Sequence, residues 1–495
     1  MDVGSERNLS SRALRVGRGV LIAALVAGIV AAVCYLLING GASGSKKELG
    51  VAVFVAALPI LLYAATARPL IFPFCLYVLL VPFDSLLAID PRYGTVTKLV
   101  AICAVLAFAF SFIRTRRVIA PDRAVFIWLG LLIWMALSVY WAIDSQTAVT
   151  KLVTYAELIG LYVIVSVVPI SLADFRVFAG AVVLGAIVSS VYAIHLFHSG
   201  VDVYSSEINH QFTSRVIVRG GGDARIDPNE FGAALMLPIS FVLMLILQRK
   251  WSLSRLALIG ILLILLGGVY VTASRGAEVS LAGLMAYLAL RSRYRVKILS
   301  FSLVGLGAVL LFTNPFVRFG DALKTGGAGR LPIWMVGWEA FKQHWLAGAG
   351  VGNFPFAYDK SFIFVFQTTY SRWHRASHNT PLTVAVELGI IGLCIAIVAL
   401  YGQWRMLASI PKSSWLYDLR VGFEGSIIAL VIASLFLETL DGKFIWLAFE
   451  LMAVTRALAL YETGSHFVGS KLRLSGHEKT ARPVPEILLK EPTNA

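Results

Sequence analysis

Four groups of residues in this chain could do chemistry, and all four lie where apolar runs are interrupted. Arg330 opens the segment Arg330-Leu331-Pro332-Ile333-Trp334, with Gly326, Gly327 and Gly329 before it and Pro332 within what would be a first turn. Those residues predict a helix start. A guanidinium beside the free N–H groups of a helix start suits a diphosphate, although an interfacial anchor with a snorkelling Arg reads the same residues equally well. Ser377-His378-Asn379-Thr380-Pro381 places a histidine at the head of an apolar run. A histidine near cations such as Arg375 titrates low and stays neutral at pH 7, the form that accepts a proton, while a capping or interface role is the plainer alternative. His374 is its local competitor. Arg275, in Thr272-Ala273-Ser274-Arg275-Gly276, is a charge in a tight turn between apolar runs and so a candidate functional residue. Gly348-Ala349-Gly350-Val351-Gly352-Asn353-Phe354 lacks the preceding strand and following Lys-Ser or Lys-Thr of a phosphate loop. Its glycines are better suited to ending a helix and admitting close backbone approach.

These residues must be positioned by membrane helices. The chain has 495 residues, 58% hydrophobic and 14% charged, with mean hydropathy +0.79, a membrane composition. About fourteen apolar runs are long enough to be helical spans, and the absence of alternating segments excludes a β-barrel. They fall near residues 19–38, 49–66, 69–88, 98–113, 124–143, 152–170, 176–197, 228–247, 256–272, 276–290, 296–313, 380–401, 421–437 and 444–460. Arg7, Arg12, Arg15 and Arg18 precede a first run too long for a signal peptide, so a cytoplasmic start with a retained first span is expected. From there the connections 114–123, 249–255, 291–297 and 405–420, each rich in Lys or Arg, fall inside. The islands 198–227 and 314–379 and the Arg275 turn fall outside.

That outer side holds Arg215, Arg219, Arg225, Arg275, Arg318, Lys324, Arg330, Arg372 and Arg375, against the orientation rule, which points to an anionic partner such as phosphate. Trp334, Trp338, Phe341 and Trp345 would form one aromatic stripe along an interfacial helix. Asp227-Pro228-Asn229-Glu230 reads as a helix cap. Cys34, Cys75, Cys103 and Cys394 all lie in apolar runs and suggest neither disulfides nor a thiolate site. The net charge of +15 accompanies no nucleic-acid-binding fold, and the loop lacks a carboxylate or cysteine set to complete a His metal site.

The Arg330 segment with its Trp-containing helix, then Gly350-Val351-Gly352-Asn353-Phe354, His378-Asn379 and Val386-Glu387-Leu388-Gly389, preceded by Ser274-Arg275-Gly276, resembles the O-antigen ligase and O-antigen polymerase superfamily over about residues 205–400. The resemblance implies an all-α polytopic protein of about 12–14 transmembrane helices with a GT-C-like architecture and one large extracytoplasmic loop containing an interfacial helix. It also implies a metal-independent, inverting glycosyltransferase of lipopolysaccharide biosynthesis, without cofactor, in the bacterial inner membrane with its site facing the periplasm. Its partners would be an undecaprenyl-diphosphate-linked glycan donor, a lipid A core or glycan acceptor, and membrane lipids. By motif, Arg275 and Arg330 would hold the diphosphate and His378 would be the catalytic base; Arg215, Arg219, Arg225, His374, Arg375 and Glu387 are further candidate substrate contacts. An O-antigen or exopolysaccharide polymerase using the same donor is the alternative. A flippase or other transporter is disfavoured because the cations gather at the outer ends and no internal repeat is evident.

The resulting organisation is a cytoplasmic basic stretch 1–18, a transmembrane bundle 19–313 with an outer loop near 198–227, a periplasmic catalytic loop 314–379, carboxy-terminal transmembrane helices 380–460 and a mobile cytoplasmic tail 461–495.

Overall fold

A computed structural model describes residues 71–84, 87–90, 94–115, 118–199, 227–312, 330–368, 375–412, 414–462 and 467–468. The runs expected at 19–38 and 49–66, the first part of the 314–379 loop, and the candidates Arg215, Arg219, Arg225 and His374 lie outside the described residues.

The described chain is a helical bundle. Its helices are α1 (Ile71–Leu80), α2 (Val96–Thr115), α3 (Arg123–Ser138), α4 (Ser145–Val167), α5 (Leu172–His198), α6 (Pro228–Ala234), α7 (Met236–Gln248), α8 (Leu253–Val271), α9 (Arg275–Arg291), α10 (Arg295–Phe312), α11 (Arg330–Gln343), α12 (Phe354–Phe366), α13 (Thr380–Met406), α14 (Tyr417–Ser434) and α15 (Lys443–Glu462). Seven of the described stretches are long and apolar enough to cross a membrane: Val96–Ile113, Arg123–Trp141, Ser145–Val167, Leu172–His198, Pro228–Gln248, Leu253–Val271 and Thr380–Ser409. Helices also form at the expected runs 276–290, 296–313, 421–437 and 444–460. α14 falls outside the seven because Asp418, Arg420 and Glu424 interrupt it; Arg420 Nε bonds Glu424 at 2.8 Å and Asp418 pairs with Arg293.

Antiparallel pairing sets which ends meet. Along α9 and α14, Gly276 lies against Phe436, Gly283 against Ile432, and Gly425 against Leu284 and Leu288, with the Arg293–Asp418 ion pair closing the far end. Along α3 and α13, the Trp134 indole donates to the Leu388 carbonyl at 2.9 Å while Gly402 lies against Ala124 and Ile127. A central aromatic cluster of Trp128, Tyr162, Trp446 and Phe449 joins α3, α4 and α15, and the Tyr162 hydroxyl bonds Gln403 Oε1 of α13 at 2.7 Å. The basic connections 291–297 and 405–420 therefore lie at one end of the bundle, and the starts of α9, α13 and α15 at the other.

Two details differ from the sequence expectation. The tail is not featureless: Phe467–Val468 (β4) pairs antiparallel with Val118–Ile119 (β3), while a second two-stranded sheet joins Ala88–Asp90 (β1) to Gly94–Thr95 (β2). Among its described residues the 314–379 loop contains, besides the expected helix α11, a further helix, α12.

Candidate functional site

The site end is built around the start of α13. Asn379 caps that helix, its Oδ1 accepting the Leu382 N–H at 2.9 Å, with Pro381 in the first turn. The chain reaches the cap through His378, whose φ of 48° lies in the left-handed region that non-glycine residues seldom occupy. Such strain persists only when neighbours over-determine it, and here they do. The Ser377 N–H donates to Glu438 Oε1 at 2.9 Å, and the Asn379 N–H donates to Ser377 Oγ at 2.9 Å. The segment 435–441, between α14 and α15, holds the other side: the Thr380 hydroxyl donates to the Leu437 carbonyl at 2.8 Å, and the Thr439 N–H to Thr380 Oγ1 at 2.9 Å.

Arg330 is the first residue of α11, at the helix start read from the glycines and Pro332. One turn on, the Trp334 indole donates to the Ser377 carbonyl at 3.0 Å, so the face shared by Arg330 and Trp334 is tied to the residue before His378. The adjoining face of α11, through Val336, Gly337 and Ala340, is buried against α12 and α13; Gly337 faces Leu382 and Phe354. Of the expected aromatic stripe, Trp338 and Trp345 stay exposed while Trp334 turns inward toward Ser377. α11 ends at Gln343, leaving Trp345 beyond it.

Burial pushes the His378 imidazole below its ordinary value, and Arg330 and, more weakly, Arg375 push the same way against the opposing carboxylates of Glu438 and Asp227. The side chain is consequently neutral near pH 7 and can accept a proton. Arg330, Arg375, Glu438 and Asp227 lie near enough to bear on it electrostatically.

Arg275 is the first residue of α9, after the N-cap Ser274. Ser274 Oγ bonds Asn229 Oδ1 at 2.7 Å, joining this turn to the Asp227 cap, where Asp227 Oδ1 accepts the Asn229 N–H at 2.8 Å. The adjoining Gly276 rests on Phe436, within the segment that staples Thr380. Arg275, Asp227, Arg330, Arg375 and His378 are thus brought to one end of the bundle by chain segments far apart in sequence.

The glycine-rich segment does not face a phosphate. It threads between α3–α4 and a break in α13 at Gly389, whose φ is 67° and ψ −170°. Backbone groups freed by that break find partners in this segment. Ala349 N–H donates to the Val386 carbonyl at 2.8 Å, Gly350 N–H to the Glu387 carbonyl at 2.9 Å, and Ile390 N–H to the Trp345 carbonyl at 2.8 Å. The buried Glu387 carboxylate accepts the N–H groups of Gly352 at 2.8 Å and Phe354 at 3.1 Å. Asn353 bonds the Asp144 backbone in both directions, at 2.6 and 3.1 Å. Glu387, a candidate substrate contact in the sequence, is a clamp that holds this loop.

Sequence reasoning passed over Glu438, Asp441 and Lys151. Lys151 Nζ bonds Asp441 at 2.6 Å, and the three residues line a cavity of about 150 Å³ beside Thr380, Thr383 and Glu387. The signal was present: Glu438 and Asp441 lie between two apolar runs on the expected outer side, and Lys151 immediately precedes the run 152–170.

Residues 260–397 match the family model described as O-Antigen ligase, a stretch that includes Arg275, Arg330, His378 and Glu387. No curated protein matches the chain.

Proposed function

We propose that this multi-pass membrane protein, a member of the O-antigen ligase/polymerase superfamily, transfers a glycan from undecaprenyl diphosphate to an acceptor hydroxyl at the outer face of the bacterial inner membrane. The carrying observation is a half-buried His378 whose imidazole is held below its ordinary value, with Arg330 bearing on it from the head of a helix tied to the adjacent residue. The acceptor oxygen attacks the anomeric carbon as the carbon–oxygen bond to the diphosphate breaks. His378 takes the hydroxyl proton, and the leaving diphosphate carries off the bonding electron pair against Arg330 and Arg275. Attack opposite the leaving group inverts the anomeric centre. With guanidinium groups stabilising the leaving group, the step calls for no metal ion.

The placement of the basic connections at the opposite end of the bundle supports an outward-facing site. The test is a reconstituted reaction with undecaprenyl-diphosphate glycan and candidate acceptors, with anomeric analysis of the product. Inverted product, formed undiminished in the presence of a chelator, is expected; retention, or a divalent-metal requirement, overturns the mechanism. Arg330→Lys keeps a charge but loses the planar fork, so kcat/KM for the donor should fall roughly tenfold or more. Unchanged donor kinetics in that variant would remove Arg330 from the diphosphate site. Deletion in the native host separates the two acceptor classes: loss of all attached glycan indicates a ligase, and single attached repeat units indicate a polymerase.

A further inference from the structure

A larger cavity, of about 730 Å³, adjoins the reaction end and is not used by the chemistry above. It is apolar where Ala101, Val105, Leu161, Val182, Ala186 and Leu237 line it, deep along α2, α4, α5 and α7. Its other end carries Asp84, Lys98, Glu157, Glu230, Asp441 and Lys443. Polar at the site end and apolar at membrane depth, it has the shape and polarity of a bed for one amphiphile. Ile102 and Leu106 line it and are themselves 49% and 64% exposed, so it is accessible from the side of α2. Asp441 lines both this cavity and the small one beside Thr380, which puts the polar mouth next to the site.

The charge at the mouth restricts the headgroup. Lys443 bonds Asp84, Lys98 bonds Glu157 and Lys151 bonds Asp441, each at 2.6 Å. Glu230 adds a further acidic group to the lining and no additional cation accompanies it there. Every lysine is already matched, and a diphosphate placed here would meet carboxylates rather than spare cations. Carboxylate–ammonium pairs do offer acceptors and donors to sugar hydroxyls. The arginines that bear on His378 make the opposite kind of surface.

We propose that this cavity seats the hydrocarbon chain of the acceptor, a lipid with a neutral, hydroxyl-bearing head, and presents that hydroxyl past Asp441 toward His378. The proposal rests on the glycan-transfer reading and assigns the donor to the arginine side. Its test uses the full-length protein in lipid nanodiscs with two photo-reactive probes: a monoglucosyl diacylglycerol with a diazirine in one acyl chain, and undecaprenyl diphosphate with a diazirine at its terminal isoprene. The glycolipid should label residues 101–106 and 182–189, and Ala186→Trp, which fills the cavity, should reduce that labelling and raise the acceptor KM about tenfold while the donor KM stays within about twofold. Preferential labelling of those segments by the prenyl probe, labelling by neither, or a selective rise in donor KM overturns the proposal. Should Ala186→Trp fail to fold, Ala101→Phe in the same wall and the wild-type labelling pattern decide the matter. Wild-type protein that labels as expected but transfers no glycan to any acceptor would leave the cavity assignment standing and remove the function.

Discussion

Replacing His378 by Gln is expected to lower kcat for glycan transfer by roughly 10²–10⁴-fold, the usual contribution of a positioned general base. Gln fills a similar space and can hydrogen-bond the acceptor hydroxyl, but it cannot take its proton. The backbone offers a control. Because His378 sits at φ 48°, a conformation that glycine adopts without strain, His378→Gly should match or exceed the wild-type melting temperature, with a gain of up to about 1 kcal/mol, while losing activity. Activity lost together with the fold in both variants would make His378 a structural cap. Turnover within a few-fold of wild type in His378→Gln would remove the base assignment.

The second large effect lies away from the reacting atoms. Gly348 has φ 81°, and a Cβ there would stand 2.2 Å from the Glu387 carbonyl oxygen and 2.4 Å from the Leu388 nitrogen. Both are backbone, so nothing can rotate aside. Gly348→Ala should cost on the order of 3–5 kcal/mol, the range reached when strain and a core collision combine. The loop could then no longer meet the break in α13, so α11, and Arg330 with it, would lose registration against Ser377. Glu387→Ala attacks the same clamp from the other side and leaves the Gly352 and Phe354 N–H groups unpaired, at about 1–3 kcal/mol each. Thermal unfolding of detergent-solubilised protein measures both. A melting temperature within about 2 °C of wild type for Gly348→Ala would contradict the clamp.

Much of this was legible in the sequence because it depends on local rules. Apolar runs of spanning length indicated the helices found among the described residues. The Asp227 cap and the Arg330 start were readable from cap and Pro chemistry within a few residues. The helix α12 was hidden by its place in a loop treated as one polar island. The break at Gly389 lies inside the run expected at 380–401, and its distant partners, among them Trp345, Ala349 and Trp134, reveal that the helix opens there. Glu387 changed role for the same reason: its carboxylate acts on backbone groups 35 and 33 residues earlier. Glu438 matters through Ser377, 61 residues away, a distance over which sequence pattern carries no signal.

The pH dependence of kcat/KM in wild type and Arg330→Gln tests the central claim most directly. The active form is neutral His378, so the wild-type profile should be flat above an inflection lying below the ordinary histidine value and should fall as pH drops through it. Removing the Arg330 charge favours the imidazolium, so the Arg330→Gln inflection should move to higher pH whatever happens to the absolute rate. An inflection at the same pH in both proteins, or a profile with no acidic fall, would contradict a base held neutral by burial and Arg330.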